Sequence, residues 1–240
     1  MSEKNLKQQI HAGETLVGVP ISLQSNRDDF DSLLEHGPYD FVCADAQHSA
    51  YNEERLVEFC NLADEFDIPV MFRIKHTRQT YMLGSYLDLG PSGLEVPQVE
   101  LESTAEEAAA AFYYPSAGIR SWGGNNRKGW TNDRDRLEYA GWWDEFGVLM
   151  LQLESVDAVQ NARNLAKPGV DLFSFGPIDL TFDIESYPNS PFKNVDDCVR
   201  HVVAQMAHLD VFVCHRIGDR ENREKYAEMG VTVFLELLPV

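Results

Sequence analysis

Residues 148–179 read VLMLQLESVDAVQNARNLAKPGVDLFSFGPID, and this stretch decides the fold. Two short, almost wholly apolar runs, Val148 to Glu154 and Asp171 to Gly176, have the length and composition of strands buried on both faces. Each gives way to a carboxylate: Glu154 closes the first, and Asp179 follows the second. In a parallel α/β protein the C-terminal strand ends form one rim, so groups far apart in sequence converge there.

The same rhythm continues in both directions. Further strand-like runs lie at Thr15 to Pro20, Asp40 to Asp45, Pro69 to Arg73, Gly93 to Pro97, Val211 to His215 and Val231 to Leu237. Between them, Leu56, Phe59, Cys60 and Ala63 repeat at helical spacing, as do Val195, Cys198, Val199, Val202 and Met206. Ser103 with Glu106 reads as a capping box ahead of an alanine-rich helix. Eight β-runs with intervening helices predict a (β/α)8 TIM barrel occupying residues 1–240 as a single domain. A doubly wound open sheet is the alternative, but no glycine-rich phosphate loop follows the first strand, and polar residues end several strands rather than one. Ser116 to Trp143 reads as one long irregular connection, with all four tryptophans in it: Trp122, Trp130, Trp142 and Trp143. Large aromatics in such a segment suggest burial at a subunit interface, hence a homo-oligomer; folding back over their own barrel is the alternative.

The chain has 240 residues, is 44% hydrophobic and carries a formal charge of −19. That acidity opposes binding to nucleic acid or an anionic membrane, and an anionic substrate must then be received by a local cation. The four cysteines, Cys43, Cys60, Cys198 and Cys214, show no CxxC spacing and suit reduced core thiols. Met1 to Glu14 is polar, with no hydrophobic signal region, and no apolar run is long enough to span a membrane, so a cytoplasmic protein is expected.

The strand ends carry the candidate chemistry. His48 lies just beyond Asp45, and a neighbouring carboxylate can orient an imidazole and raise its basicity for general-base work; taken alone, the residue is better explained as a surface or structural histidine. Arg73 ends the otherwise apolar VMFR as a clamp for a substrate carboxylate or enolate oxygen, or as half of a structural ion pair. Glu154 and Asp179 can share one hard, octahedral cation, Mg2+, Mn2+ or Co2+, or can simply cap neighbouring helices. Gln152, two residues before Glu154, points to the same strand face.

Taken in order, DAQH at 45–48, VMFR at 70–73, LDLGPSGLEVPQV at 87–99, YPSAGIR at 114–120, LQLES at 151–155 and FGPIDL at 175–180 resemble the HpcH/HpaI aldolase family, from about Thr15 to Leu237. The resemblance implies a TIM barrel acting on 2-oxo acids with a divalent metal. Glu154 and Asp179 look like its ligands, His48 like the general base, and Arg73 like the residue that stabilises the enolate oxygen. Gln152 with Gly176, Pro177 and Ile178 looks like the pyruvate-binding wall. Asp88 resembles the acid that raises the basicity of the histidine, often from a neighbouring subunit, and Asp45 is a second candidate. Three departures stand out: Gln47 replaces the acid of the usual DxEH, SWGGNNRKGW follows GIR at 121–130, and the sequence given ends at LELLPV, before the terminal helix that supports larger oligomers in relatives.

Residues and resemblance together point to a carbon-carbon lyase that joins or separates a pyruvate unit and an aldehyde. An oxaloacetate-type decarboxylase or another dicarboxylate lyase is one alternative. A catalytically idle barrel that binds a 2-oxo acid is the other.

Overall fold

The computed structural model describes residues 5–218 and 220–237, so residues 1–4 of the polar N-terminus and 238–240 of LELLPV lie outside it. Eight parallel strands follow one another around a closed barrel: β1 (Leu16–Pro20), β2 (Phe41–Asp45), β3 (Val70–Arg73), β4 (Gly93–Val96), β5 (Val148–Leu153), β6 (Leu172–Phe175), β7 (Phe212–Ile217) and β8 (Val233–Glu236). These are the eight runs expected from sequence, and β8 pairs with β1 to close the sheet. The strand read as ending at His215 continues to Ile217, which brings Arg216 into the sheet.

Alternation along each strand divides the side chains between two cores. Outward residues such as Val42, Phe72, Leu94, Leu151, Phe173 and Phe234 pack under the surrounding helices. Helices Glu53–Glu65 and Val195–Met206 meet that layer with the stripes read from their spacing. Inward residues including Phe41, Cys43, Met71, Met150, Leu172 and Cys214 fill the lower barrel, and Leu6 and Ile10 of the N-terminal helix pack against them. Gly18 belongs to this interior: a β-carbon there would fall 2.2 Å from the Phe41 ring, so glycine in β1 is what admits that ring.

One inward step further along the strands, the lining becomes polar. Asp45, Arg73 and Glu95 are register partners on β2, β3 and β4, and Gln152 pairs in register with Ser174 on β5 and β6. Arg216 joins them from β7 by bonding to Glu95. The barrel therefore has an apolar floor beneath a polar belt, and the belt faces the C-terminal rim.

Two local expectations are corrected. The alanine-rich helix begins at Glu102 with Leu101 as its N-cap and no side-chain cap, so Ser103 and Glu106 lie inside it and form no capping box. The chain already turns helical before Ser103, which removes the extended backbone an N-cap requires. The connection read as irregular to Trp143 becomes helical at Arg136, where Asp135 accepts from the amides of Leu137 and Glu138.

The tryptophans differ in cover: Trp130 and Trp142 are half-buried and Trp122 is 36% exposed. Trp143 is fully buried, packs on Phe112 and donates its indole N–H to the Phe112 carbonyl at 3.2 Å. Trp122 and Trp130 close on the Arg127 guanidinium at 3.9 and 4.0 Å from their ring centres. Cation–π attraction and apolar burial thus hold the segment against its own barrel. No helix among the described residues is long and apolar enough to cross a membrane.

Candidate active site

At the C-terminal rim, the belt opens into a cleft of about 500 Å³. Asp45, His48, Arg73, Gln152, Glu154, Gly176, Pro177, Ile178 and Asp179 all line it, so nine of the ten residues singled out from sequence meet at one place. The tenth, Asp88, does not. It lies in the loop that leads into β4, at the opposite end of the barrel, and accepts a 2.7 Å hydrogen bond from Arg120. Within this chain Asp88 is the counter-ion of a buried guanidinium and has no contact with His48.

Asp45 and Arg73 are held by strand register. Arg73 Nε donates to Asp45 Oδ1 at 2.8 Å and Nη2 donates to Oδ2 at 2.7 Å, a two-pronged pair across neighbouring strands. Burial opposes charge on Asp45, but the bonded guanidinium outweighs it and keeps the carboxyl below its ordinary range. Arg73 Nη1 reaches Gln152 Oε1 at 3.3 Å, which fixes the guanidinium plane from the far side. Asp45 Oδ1 also accepts the Gln47 amide at 2.8 Å, turning the DAQH segment sharply and leaving His48 exposed at the cleft edge. The ion pair that was one reading of Arg73 is therefore real, and it still faces the cleft.

Glu154 and Asp179 make the opposite wall. Glu154 is 7% exposed, and its Oε2 accepts the backbone amide of Gln98 at 3.1 Å; Oε1 is buried with no hydrogen-bond partner. Gln98 holds φ at +52°, a conformation uncommon for a side chain of its kind, while directing that amide. Burial, reinforced by the nearby Asp179 charge, pushes the Glu154 carboxyl up to about 7. Asp179 sits in the first turn of helix Pro177–Ser186, where the helix dipole favours a negative charge. Gly176 precedes that helix, and a β-carbon there would lie 2.1 Å from Glu154 Oε1. Glycine thus preserves the space beside that oxygen.

This donor set fits a divalent cation. Two carboxylates lie together without a basic partner among the described residues, and one buried oxygen has nothing to bond. A hard cation keeping several waters requires only such a pair of oxygen ligands. Among the described residues no cluster of three or more histidine, cysteine, aspartate or glutamate side chains offers a fuller cage.

Sequence reasoning missed Glu95 and Arg216. Glu95 is completely buried, and both its oxygens accept from Arg216 Nη2, at 2.7 and 2.6 Å; Ser174 Oγ adds a third bond at 2.6 Å. Burial opposes its ionisation, but Arg216 and then Arg73 prevail and lower its pKa. Strand alternation was the available signal: Glu95 shares inward parity with Gly93 two residues earlier, as Arg216 does with Cys214.

Fold and cleft define a TIM barrel with an acid pair and a guanidinium facing each other at its C-terminal mouth. The sequence profile of the HpcH/HpaI aldolase/citrate lyase family matches residues 23–233, and the chain belongs to that family. A 4-hydroxy-2-oxo-heptane-1,7-dioate aldolase of Shigella boydii serotype 4 (strain Sb227) is 25% identical over 231 residues, covering 95% of this chain and 86% of the relative. A hydroxypyruvate/pyruvate aldolase of Pseudomonas aeruginosa is 24% identical over 228 residues, covering 93% and 82%. The crystal structure of an HpcH/HpaI aldolase from Desulfitobacterium hafniense DCB-2 aligns with a TM-score of 0.87 at 25% identity, over 98% of this chain and 90% of that one.

Proposed function

We propose that the protein is a divalent-metal aldolase that cleaves or forms 4-hydroxy-2-oxo acids through the enolate of pyruvate. The observation that carries this reading is the orphaned Glu154 carboxylate beside Asp179, facing Arg73 and His48 across one cleft. The names of the relatives support the aldolase class. A cation held by Glu154 and Asp179 would supply Lewis-acid stabilisation of negative charge on the substrate's oxo group.

The chain's own residues account for the rest. Arg73, locked by Asp45 and Gln152, presents a preorganised positive charge to the oxygen that becomes anionic, the kind of interaction that usually contributes most to catalysis. His48 accepts the proton of the 4-hydroxyl. The C3–C4 bond then breaks, C4 leaves as an aldehyde, and the bonding pair becomes the C2–C3 double bond of the enolate as the carbonyl pair moves onto oxygen. Protonation at C3 gives pyruvate. Gly176 and Pro177 form the wall against which the three-carbon unit lies.

Pyruvate release from 4-hydroxy-2-oxo acids, measured with Mn2+ and after chelation, tests the proposal. Metal-dependent release is the expected result. Failure to release pyruvate, together with no metal-dependent exchange of pyruvate C3 hydrogens in D2O, would overturn it.

A further inference from the structure

The groups assigned so far occupy only part of the cleft. Asp45, His48 and Arg73 belong to the β2 and β3 ends, and Glu154 and Asp179 to the β5 and β6 ends. The cavity continues past β7, β8 and β1, where Pro20, Arg216, Leu235 and Leu237 line it. Its roughly 500 Å³ is far more than a three-carbon oxo acid fills, so this second arc is where the remainder of a longer substrate lies.

Arg216 is the charged side chain of that arc among the described residues. Its Nη2 is committed to Glu95 and one Nη1 hydrogen to the Phe175 carbonyl at 3.0 Å. Nε and the other Nη1 hydrogen have no partner among the described residues, and 11% of the side chain remains exposed, with Arg216 lining the cleft. A guanidinium with three of its five hydrogens tied down is a rigid donor, and what it offers the cleft is a fixed remnant of its fork. Burying such an ion pair costs more than filling the same space with apolar residues, so its place at the cavity wall calls for a use beyond packing.

We propose that Arg216, set in place by Glu95, is the specificity-determining residue for the aldehyde half of the reaction, receiving a carboxylate carried on the aldehyde. This rests on the aldolase reading above. Leu235 and Leu237 supply the apolar surface along which the intervening carbons lie. Arg73 is engaged by Asp45 and serves the pyruvate half, so the two guanidinium groups divide the two ends of the substrate between them.

The test compares aldol addition of pyruvate to 4-oxobutanoate and to butanal, two aldehydes of equal chain length, with Mn2+ present. The wild-type protein is expected to favour 4-oxobutanoate in kcat/KM by about 10- to 100-fold, the range a charge-assisted hydrogen bond supplies. Arg216→Met combined with Glu95→Gln removes both charges and should bring the ratio close to one; Arg216→Lys, which keeps the charge without the fork, should fall between. Because the ratio is taken on one sample, a general loss of activity cancels. A wild-type ratio near one overturns the assignment without reference to any variant, and so does an unchanged ratio in the double variant. Exchange of pyruvate C3 hydrogens in D2O separates the two levels: exchange without aldehyde discrimination defeats only the role of Arg216, whereas no exchange in the wild type defeats the aldolase reading itself.

Discussion

Arg73 grips both oxygens of Asp45, at 2.8 and 2.7 Å, from the neighbouring strand and in direct register with it. The geometry makes the guanidinium's orientation a property of the sheet rather than of a loop. Arg73→Lys keeps the charge but loses the fork and the bond to Gln152. Turnover should fall by about 100-fold with a smaller change in KM, as for loss of one oxyanion donor. Steady-state kinetics on an accepted 2-oxo acid provide the measurement, and near wild-type kcat would remove Arg73 from the chemistry.

Glu154→Gln replaces the unpartnered carboxylate oxygen with an uncharged amide. Mn2+ binding followed by calorimetry should weaken by at least about 10-fold, since the site would retain one carboxylate of two. Asp179→Asn should behave alike. Unchanged affinity in both variants would show that the cation, if one binds, is held elsewhere.

His215 predicts a pH dependence of stability. It points outward from β7, is 2% exposed, packs against Tyr226 and Phe175, and has no partner for Nδ1. Burial lowers its pKa from 6.5 to about 4. The unfolded chain therefore binds the proton first, so stability is unaffected above about pH 6.5 and declines as pH falls toward 4. This one group accounts for a loss on the order of 3 kcal/mol across that window. Urea unfolding at pH 7 and pH 5 should show a smaller decline in His215→Phe than in the wild type, and equal declines would contradict the assignment.

Asp88 supplies the carboxylate to Arg120, whose side chain is fully buried. Asp88→Ala should cost about 3 kcal/mol in unfolding free energy, because a buried charge loses its counter-ion. A variant of undiminished stability but lost turnover would instead place Asp88 in a neighbouring subunit's cleft.

Much of this was legible before any coordinates. Strands such as VLMLQL and LFSF are apolar on both faces because helices cover one side and the barrel interior the other, and such runs announce themselves. Glu154 was legible because it follows directly on the first run, and Asp179 because it comes four positions after the end of the second. Glu95 and Arg216 were not, since each lies inside its strand and their partnership spans 121 residues of sequence. The pairing of Asp88 with Arg120 was not legible for a related reason: LDLG resembles a motif, but a motif does not state which end of the barrel its loop occupies. The arginine that the tryptophans enclose was not legible either: Arg127 became visible as their partner only in three dimensions.

The belt pairs each of its guanidinium groups with an acid: Arg73 with Asp45, and Arg216 with Glu95. These pairs therefore add little to the long-range field, which for a chain of formal charge −19 repels anions on approach. Recognition of the proposed oxo acid, as of any anion, must then operate at contact distance, after the ligand has crossed an unfavourable potential, while divalent cations are drawn inward by the same field. Screening that potential shortens its reach to roughly 8 Å at physiological ionic strength. Moderate salt should accordingly speed the capture of acidic ligands and slow the capture of metal, opposite responses arising from a single arrangement of internally neutralised charge.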